Sequence, residues 1–274
     1  MGDITFHKMV ASGNDFVVID NRKGVVANAK QLAVKICQPH FGVGADGVLF
    51  IEPSRTSDFF LRIVNSDGSE AEACGNGYRC VGLYAHQLLG FSKSMRAETL
   101  AGEIGIEVNG STIKAKMANP SDYRETVEIK DLKNGSKSLR ASFINTGVPH
   151  VVIFAEGLDK MPVVELGRVI RYHKAFQPKG TNVNFVEVTG KNELSIRTYE
   201  RGVEDETLAC GTGTVASAVV SNLTDRVGIP VSVKTKSGET LKVYFDRVKN
   251  ETRNVFLEGK AEFVFEGSLS IPSS

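Results

Sequence analysis

Short runs that alternate apolar and polar residues dominate the chain, and they predict strands more often than helices. Many runs are rich in β-branched residues, and turn dipeptides such as Asn109-Gly110 and Ser237-Gly238 separate pairs of them as in hairpins. In the first half the predicted strands are Ile4–Val10, Phe16–Asp20, Val48–Glu52, Phe59–Asn65, Glu103–Val108 and Thr112–Met117. In the second half they are Val127–Leu132, Ser138–Asn145, Val151–Ala155, Val183–Val188, Leu194–Tyr199, Val231–Thr235, Leu241–Asp246, Asn254–Leu257 and Ala261–Phe265.

Helical periodicity is confined to a few segments. The predicted helices are Ala29–Cys37, Gly77–Leu89, Val164–Tyr172 and Thr214–Asp225. Gly90 and Gly228 lie just past two of them, as glycines at helix ends often do. Because strands far outnumber helices and do not alternate with them regularly, the pattern predicts an α+β fold of mainly antiparallel sheets, each wrapped around a central helix.

The chain repeats itself. Ala73-Cys74-Gly75-Asn76-Gly77 and Ala209-Cys210-Gly211-Thr212-Gly213 each open an apolar helical run, at an offset of about 135 residues. The segments 12–19 and 146–153 align at nearly the same offset. The repeat predicts two pseudo-symmetric domains that face each other across a cleft, which would hold the active site. Turn residues near 118–122 divide them into 1–119 and 120–263, and the last strand, about 264–274, is expected to return to the first domain.

Composition narrows the class of protein. The 274 residues are 41% apolar and 24% charged, with a net charge of +1, which provides no general attraction to nucleic acid or to an anionic membrane. No apolar run is long enough to span a bilayer, and the first residues do not resemble a signal peptide. We therefore expect a cytoplasmic protein without nucleic-acid or membrane partners.

The four cysteines are expected to be reduced, and none forms a Cys-x2-Cys pair, so a zinc or other metal site is not expected. Cys37 and Cys80 lie within predicted helices and are interpreted as small core residues. Cys74 and Cys210 differ because glycines follow them at the start of a helix. Unpaired N–H groups there carry partial positive charge, which favours the thiolate and binds a carboxylate.

Two such turns facing one ligand could hold a sulfur on each face of an α-carbon. One thiolate would remove the α-proton, and the other thiol would deliver a proton to the opposite face. The N–H groups would stabilise the negative charge that develops on the carboxylate. This chemistry inverts a stereocentre without a cofactor. The pattern alone does not decide which cysteine is the resting thiolate.

Gly42-Val43-Gly44-Ala45-Asp46-Gly47 matches the dinucleotide fingerprint in its letters only. That motif requires a strand before it and a helix after it, whereas here a predicted helix precedes it and a strand follows. A nicotinamide-dependent dehydrogenase is therefore disfavoured.

The chain resembles the diaminopimelate epimerase family. The resemblance lies in Gly13-Asn14-Asp15-Phe16, Asn65-Ser66-Asp67-Gly68, the two cysteine turns, Gly147-Val148-Pro149-His150, Asn182-Val183-Asn184-Phe185 and Glu200-Arg201-Gly202. It implies a homodimeric, pyridoxal-phosphate-independent isomerase of lysine and peptidoglycan precursor biosynthesis. Such an enzyme interconverts LL- and meso-diaminopimelate.

The resemblance also assigns roles by position. It implies that Cys74 and Cys210 are the acid/base pair and that His150 and Glu200 polarise the thiols. Residues that resemble the substrate-binding set are Asn14, Asn65, Gly75, Asn76, Asn182, Glu200, Arg201, Gly211 and Thr212. A long diacid needs its distal carboxylate recognised, and the two-pronged guanidinium of Arg201 suits that task.

Two positions depart from the family pattern, since Val148 and Gly47 stand where polar residues are frequent. The alternatives are a proline racemase or hydroxyproline epimerase, an isomerase that does not use thiols, and a non-catalytic amino-acid binder. The motif expected of the racemases at the first thiol is Cys-Gly-His, whereas this chain has Asn76 in place of the histidine. The racemases are also expected to lack the Glu200-Arg201-Gly202 block. The paired cysteines argue against the other two.

Overall fold

The computed structural model describes residues 3–130, 138–249 and 251–270. The chain divides into two compact units, one of residues 1–116 with 258–274 and the other of residues 117–257. The helices are α1 Ala29–Ile36, α2 Gly75–Leu89, α3 Val163–Arg171 and α4 Gly211–Leu223. The strands are β1 Asp3–Ala11, β2 Asn14–Asp20, β3 Gly47–Glu52, β4 Phe59–Asn65, β5 Glu70–Ala71, β6 Ser94–Thr99, β7 Gly102–Asn109, β8 Thr112–Lys116, β9 Ser121–Lys130, β10 Ser138–Asn145, β11 Pro149–Phe154, β12 Asn182–Gly190, β13 Glu193–Glu200, β14 Asp205–Thr207, β15 Val231–Lys234, β16 Thr240–Val248, β17 Glu251–Lys260 and β18 Glu262–Ser270.

In the first unit, α2 is surrounded by strands. β1 pairs antiparallel with β2 and with β18. β2 runs parallel to β3, β3 antiparallel to β4, and β4 parallel to β6, which continues antiparallel into β7 and β8. Every residue of α2 from Gly75 to Ala85 is buried, as expected of a helix enclosed on all sides.

The second unit has the same connectivity around α4. β11 runs parallel to β12, β12 antiparallel to β13, and β13 parallel to β15, which pairs with β16. α4 is buried from Gly213 to Leu223. The prediction of a repeated α+β fold with mainly antiparallel sheets around a central helix is confirmed, and the parallel pairs are an addition to it.

The strand registers identify equivalent positions in the two units. Phe16 pairs with Gly47 across β2 and β3, and His150 pairs with Asn182 across β11 and β12. In the next pair of strands, Leu49 of β3 pairs with Ile63 of β4 in the first unit. At the equivalent position of the second unit, Asn184 of β12 pairs with Thr198 of β13.

Several segments differ between the prediction and the structure. The sequence prediction lacks β5, β6 and β14, which are short or polar. The predicted strand Val127–Leu132 corresponds to β9, which begins at Ser121, and its last two residues lie outside the described part of the chain, as do residues 271–274 of the predicted last strand. β18 pairs with β1 of the first unit.

The two cysteines interpreted as core residues are buried, with Cys80 and Cys37 in separate apolar clusters of the first unit. None of the described helices is both long and apolar enough to cross a membrane.

Candidate active site

Cys74 caps the N-terminus of α2. Its sulfur accepts the backbone N–H of Gly77 at 3.3 Å, which satisfies one donor of the first helical turn. A Cβ at Gly77 would lie in tight contact with a Leu49 methyl group, at 3.1 Å, and in ordinary van der Waals contact with the sulfur, at 3.6 Å. The thiol rests against the positive end of the helix.

An amide network surrounds this thiol. The Cys74 thiol lies 4.0 Å from the Asn14 side-chain oxygen, which also accepts a hydrogen bond from the Asn76 amide at 3.3 Å. The Asn14 amide group donates to Asp46. Asn76 in turn accepts a hydrogen bond from Arg79 at 2.9 Å. The oxygen of Asn14 is therefore turned toward the sulfur and held there from both ends.

Two positively charged side chains beneath the network, those of Arg79 and Lys8, are buried. Arg79 is fully buried in α2 and also donates to the Ser12 hydroxyl at 2.6 Å. Lys8 forms an ion pair with Asp15 and donates to the Gly44 carbonyl. Burial raises the pKa of Asp46, although hydrogen bonds from Asn14 and the Asp15 N–H act in the opposite direction.

Cys210 caps α4 in the equivalent way. Its sulfur accepts the Gly213 N–H at 3.4 Å and lies 3.5 Å from the Thr212 hydroxyl. The Thr146 hydroxyl donates to the Thr212 carbonyl at 3.0 Å and fixes the turn. The first residues of the two helices, Gly75 and Gly211, follow the thiols directly, so their N–H groups lie in the turns that lack helical partners.

His150 is fully buried at the start of β11. One ring nitrogen, Nε2, lies 3.0 Å from the Thr212 hydroxyl, and the other, Nδ1, lies 3.1 Å from the Asn184 amide nitrogen. Burial, reinforced by the charge of Arg201, lowers the pKa of His150 to about 3. The imidazole is therefore neutral near pH 7, and within the second unit it reaches Cys210 through Thr212.

Glu200 ends β13 beside the second thiol. Burial raises the pKa of its carboxyl, while hydrogen bonds with Thr207 and Cys210 lower it less strongly. A carboxylate in contact with a thiol, with its pKa raised from the ordinary value, is suited to exchange a proton with that thiol.

Arg201 and Asn182 lie side by side. The Arg201 N–H donates to the Asn182 side-chain oxygen at 2.8 Å, and the Arg201 guanidinium donates to the Lys179 carbonyl at 2.9 Å. The Asn182 amide donates to the Pro149 carbonyl at 3.2 Å. Asn65, by contrast, is held by Ser69, to whose hydroxyl it donates at 2.9 Å.

The structure groups the predicted residues within each unit. In the first, Asn14, Cys74 and Asn76 are in contact, and Asn65 ends the neighbouring strand β4. In the second, Thr212 links His150 to Cys210. Glu200 and Arg201 are consecutive residues at the end of β13.

The two departures from the family pattern have different structural settings. Gly47 is confined by backbone, since a Cβ there would lie 2.8 Å from the Val64 carbonyl oxygen. A side chain is therefore excluded at this position. The Val148 carbonyl accepts the Thr146 N–H at 3.2 Å in the turn before β11.

Sequence reasoning missed several polar residues of the site: the half-solvated Asp46 and the buried Arg79, Asn184 and Thr198. A signal existed for some of them. Arg79 is a charge inside an apolar helix, and Asn184 lies two residues after Asn182, between the apolar residues Val183 and Phe185. A polar residue on the inner face of a strand must find a hydrogen-bond partner. Across the described parts of the chain, no three His, Cys, Asp or Glu side chains cluster as metal ligands would.

Known proteins match this chain over nearly its whole length. A family model described as Diaminopimelate epimerase matches residues 6–122 and 142–264. The protein named diaminopimelate epimerase from Aquifex aeolicus is 45% identical and covers 97% of this chain and 97% of its own length. The protein of the same name from Archaeoglobus fulgidus is 42% identical, and the match covers 98% of this chain and 97% of that protein.

Solved structures of other families share the fold. A Bacillus anthracis phenazine biosynthesis protein of the PhzF family matches with a TM-score of 0.74 and 18% identity, covering 99% of this chain and 100% of that one. A probable proline racemase from Agrobacterium radiobacter matches with a TM-score of 0.71 and 13% identity, covering 98% and 93%. At these identities the likeness establishes the fold alone.

Proposed function

The chain belongs to the diaminopimelate epimerase family, and we propose that it interconverts LL-2,6-diaminopimelate and meso-diaminopimelate. The observation that carries the proposal is the pair of cysteines at equivalent helix starts in two repeated units. Each thiol accepts a hydrogen bond from its own helix, which favours the thiolate that proton abstraction requires.

Inversion at an α-carbon requires a proton carrier for each face. In the proposal Cys74 and Cys210 are those carriers, one as thiolate and the other as thiol, and their states exchange in each turnover. The N–H groups at Gly75, Asn76, Gly211 and Thr212 bind the carboxylate at the reacting carbon. They stabilise its developing charge, so no cofactor is required.

The neighbouring groups adjust the thiols. Glu200 accepts a proton from Cys210 or returns it, since the two groups are in contact and burial raises the pKa of the carboxyl. His150 is neutral, and its Nε2 contacts the Thr212 hydroxyl, through which it acts on Cys210. Asn14, Asn65, Asn182, Glu200 and Arg201 are proposed to hold the remainder of the substrate, with Arg201 at the distal carboxylate.

The proposal extends to the setting of the reaction. We place the enzyme in lysine and peptidoglycan precursor biosynthesis, in the cytoplasm, as a homodimer without a nucleic-acid or membrane partner. The family membership supports this setting. Light scattering of the purified protein would measure its oligomeric state.

The test is turnover of defined substrates by the purified protein. In D2O, NMR should show loss of the α-proton signal of LL-diaminopimelate and appearance of the meso isomer, whereas L-proline and hydroxyproline should remain unchanged. Turnover of proline would indicate the racemase. A thermal shift with diaminopimelate but no α-proton exchange would leave only a binder.

A further inference from the structure

A buried chain of hydrogen bonds runs behind Cys210. The Thr198 hydroxyl donates to the Asn184 oxygen at 3.0 Å, and the Asn184 amide lies 3.1 Å from Nδ1 of His150. Nε2 of His150 lies 3.0 Å from the Thr212 hydroxyl, which lies 3.5 Å from the Cys210 sulfur. Thr198, Asn184 and His150 are each at most 2% exposed. We name these four residues, Thr198, Asn184, His150 and Thr212, the relay.

The direction of every bond in the relay is fixed by one anchor. The Asn184 amide nitrogen also contacts the Val151 carbonyl at 2.9 Å, and a carbonyl can only accept a hydrogen bond. That nitrogen therefore carries the donors, and the Asn184 oxygen faces the Thr198 hydroxyl. Because the amide donates to Nδ1 of His150, this ring nitrogen has no proton.

The orientation of the Asn184 amide determines which nitrogen of His150 carries the proton. The neutral imidazole must carry its proton on Nε2, which donates to the Thr212 oxygen. Because the Thr212 oxygen accepts this proton, its own hydroxyl proton does not point at His150 and is available for donation to the Cys210 sulfur. The sulfur thus receives donors from Thr212 and from the Gly213 N–H, and both stabilise the thiolate.

The fold itself does not require the relay. At the equivalent positions of the first unit, Phe16, Leu49 and Ile63 replace His150, Asn184 and Thr198, and all three belong to the apolar core beside Cys74. The similarity extends to packing, since Leu49 lies under Gly77 and Asn184 lies under Gly213. The second unit has polar groups where apolar ones build the same structure.

We propose that Asn184 and Thr198 are positioning residues for the reaction, which hold His150 in its Nε2–H form and so keep the Thr212 hydroxyl donating to Cys210. The inference rests on the proposed function for the role of Cys210 as a proton carrier. Without the relay the Thr212 hydroxyl could turn and donate to His150, and Cys210 would lose a donor. Glu200, the carboxyl in contact with Cys210, and Arg201, whose charge acts on His150, remain in place in the variants below.

The test measures ionisation of each thiol without turnover. Iodoacetamide alkylation is followed against pH by peptide mass spectrometry, so that Cys74 serves as an internal reference in every sample. Asn184→Leu installs the residue of the first unit, and Asn184→Asp keeps the shape but replaces the donor with an acceptor. In both, the alkylation midpoint of Cys210 should rise by about one unit, the effect of losing one charge-assisted hydrogen bond, while that of Cys74 stays constant.

Kinetics provide a second readout in the same variants. The kcat should fall about tenfold with KM changed less than about twofold, since neither Asn184 nor Thr198 belongs to the proposed substrate-binding set. Thr198→Val should show a smaller change in the same direction, because Val151 still holds the amide, and Thr198→Ser should restore the wild-type values. Ser217→Ala, a buried hydroxyl of α4 outside the relay, is the matched control and should leave both readouts unchanged.

Folding is checked by thermal denaturation, and Asn184→Asp and Thr198→Val stand in if Asn184→Leu does not fold. A folded Asn184→Asp protein with wild-type midpoint and kcat would overturn the inference. So would an equal shift of both thiols. If the wild type does not epimerise diaminopimelate, the proposed function fails, but the midpoints still decide whether the relay acts on Cys210.

Discussion

Replacing either helix-start cysteine by alanine should remove activity and leave the fold nearly intact. In each case the thiol satisfies one helical N–H, at 3.3 Å from Gly77 or at 3.4 Å from Gly213. Loss of an N-cap acceptor costs about 1 kcal/mol. From a stability of even about 5 kcal/mol, the variant remains more than about 99% folded. Unfolding therefore cannot account for a large loss of activity.

The expected loss of activity is far larger. A general acid or base contributes about 10²–10⁴-fold, and each face of the α-carbon depends on its own thiol, so Cys74→Ala and Cys210→Ala should each lose at least about 10³-fold in kcat. Exchange of the α-proton in D2O and interconversion of the isomers are measured separately. A variant that lacks one thiol can still exchange the proton on the other face, but it cannot invert the centre.

The two core cysteines are the matched controls. Cys37→Ala and Cys80→Ala each remove a buried sulfur from an apolar cluster, which should cost about 1–2 kcal/mol of stability and leave kcat within about twofold of wild type. Urea unfolding and kinetics on all four variants should therefore give opposite patterns for the two pairs. Either helix-start variant retaining more than about a tenth of the wild-type epimerisation rate would refute the two-thiol mechanism.

Three further predictions concern charged and titratable groups. Arg201→Met should lower kcat/KM by about tenfold to a hundredfold through the lost charged hydrogen bond, whereas Arg253→Met, on an exposed ion pair, should not; equal kinetics would show that another group holds the distal carboxylate. Because the pKa of His150 falls from 6.5 to about 3 on folding, the unfolded chain binds an extra proton in that window. The unfolding free energy should drop by about 1.4 kcal/mol per pH unit as the pH is lowered through it, and His150→Gln should lose that slope in urea titrations. Burial raises the pKa of Glu200, so its ionisation weakens the fold above that pKa; Glu200→Gln should gain stability relative to wild type at pH 8 but not at pH 4, and lose activity. A Glu200→Gln protein with full activity would contradict proton exchange with Cys210.

The helices and the repeat could be read from the sequence because each depends on local signals. The predicted helices Gly77–Leu89 and Thr214–Asp225 are present, but both begin earlier, at Gly75 and Gly211. The glycines were interpreted as turn residues, whereas the cysteine caps draw them into the first helical turn. β6 was missed because its inward residues, Met95, Ala97 and Thr99, provide only a weak apolar alternation.

The site residues also differ in whether a local sequence signal marks them. The cysteines stand out because glycines follow them in both repeats. Asn184 and Thr198 do not, because their roles depend on pairing between strands and on the imidazole above them. Which residues meet across neighbouring strands depends on the register of the strands. The sequence of a single strand does not reveal that register.

The pairing of β1 with β18 determines the order in which the chain can fold during synthesis. Asp3 lies beside Ser270, so the first strand made waits for the last. At ribosomal rates of about 5–20 residues per second, the intervening chain takes roughly 12–50 s to appear. Throughout that time one edge of β1 has no strand partner and is open to pairing with other chains. Residues 117–257, which form the second unit without a break, can fold before the first unit is complete.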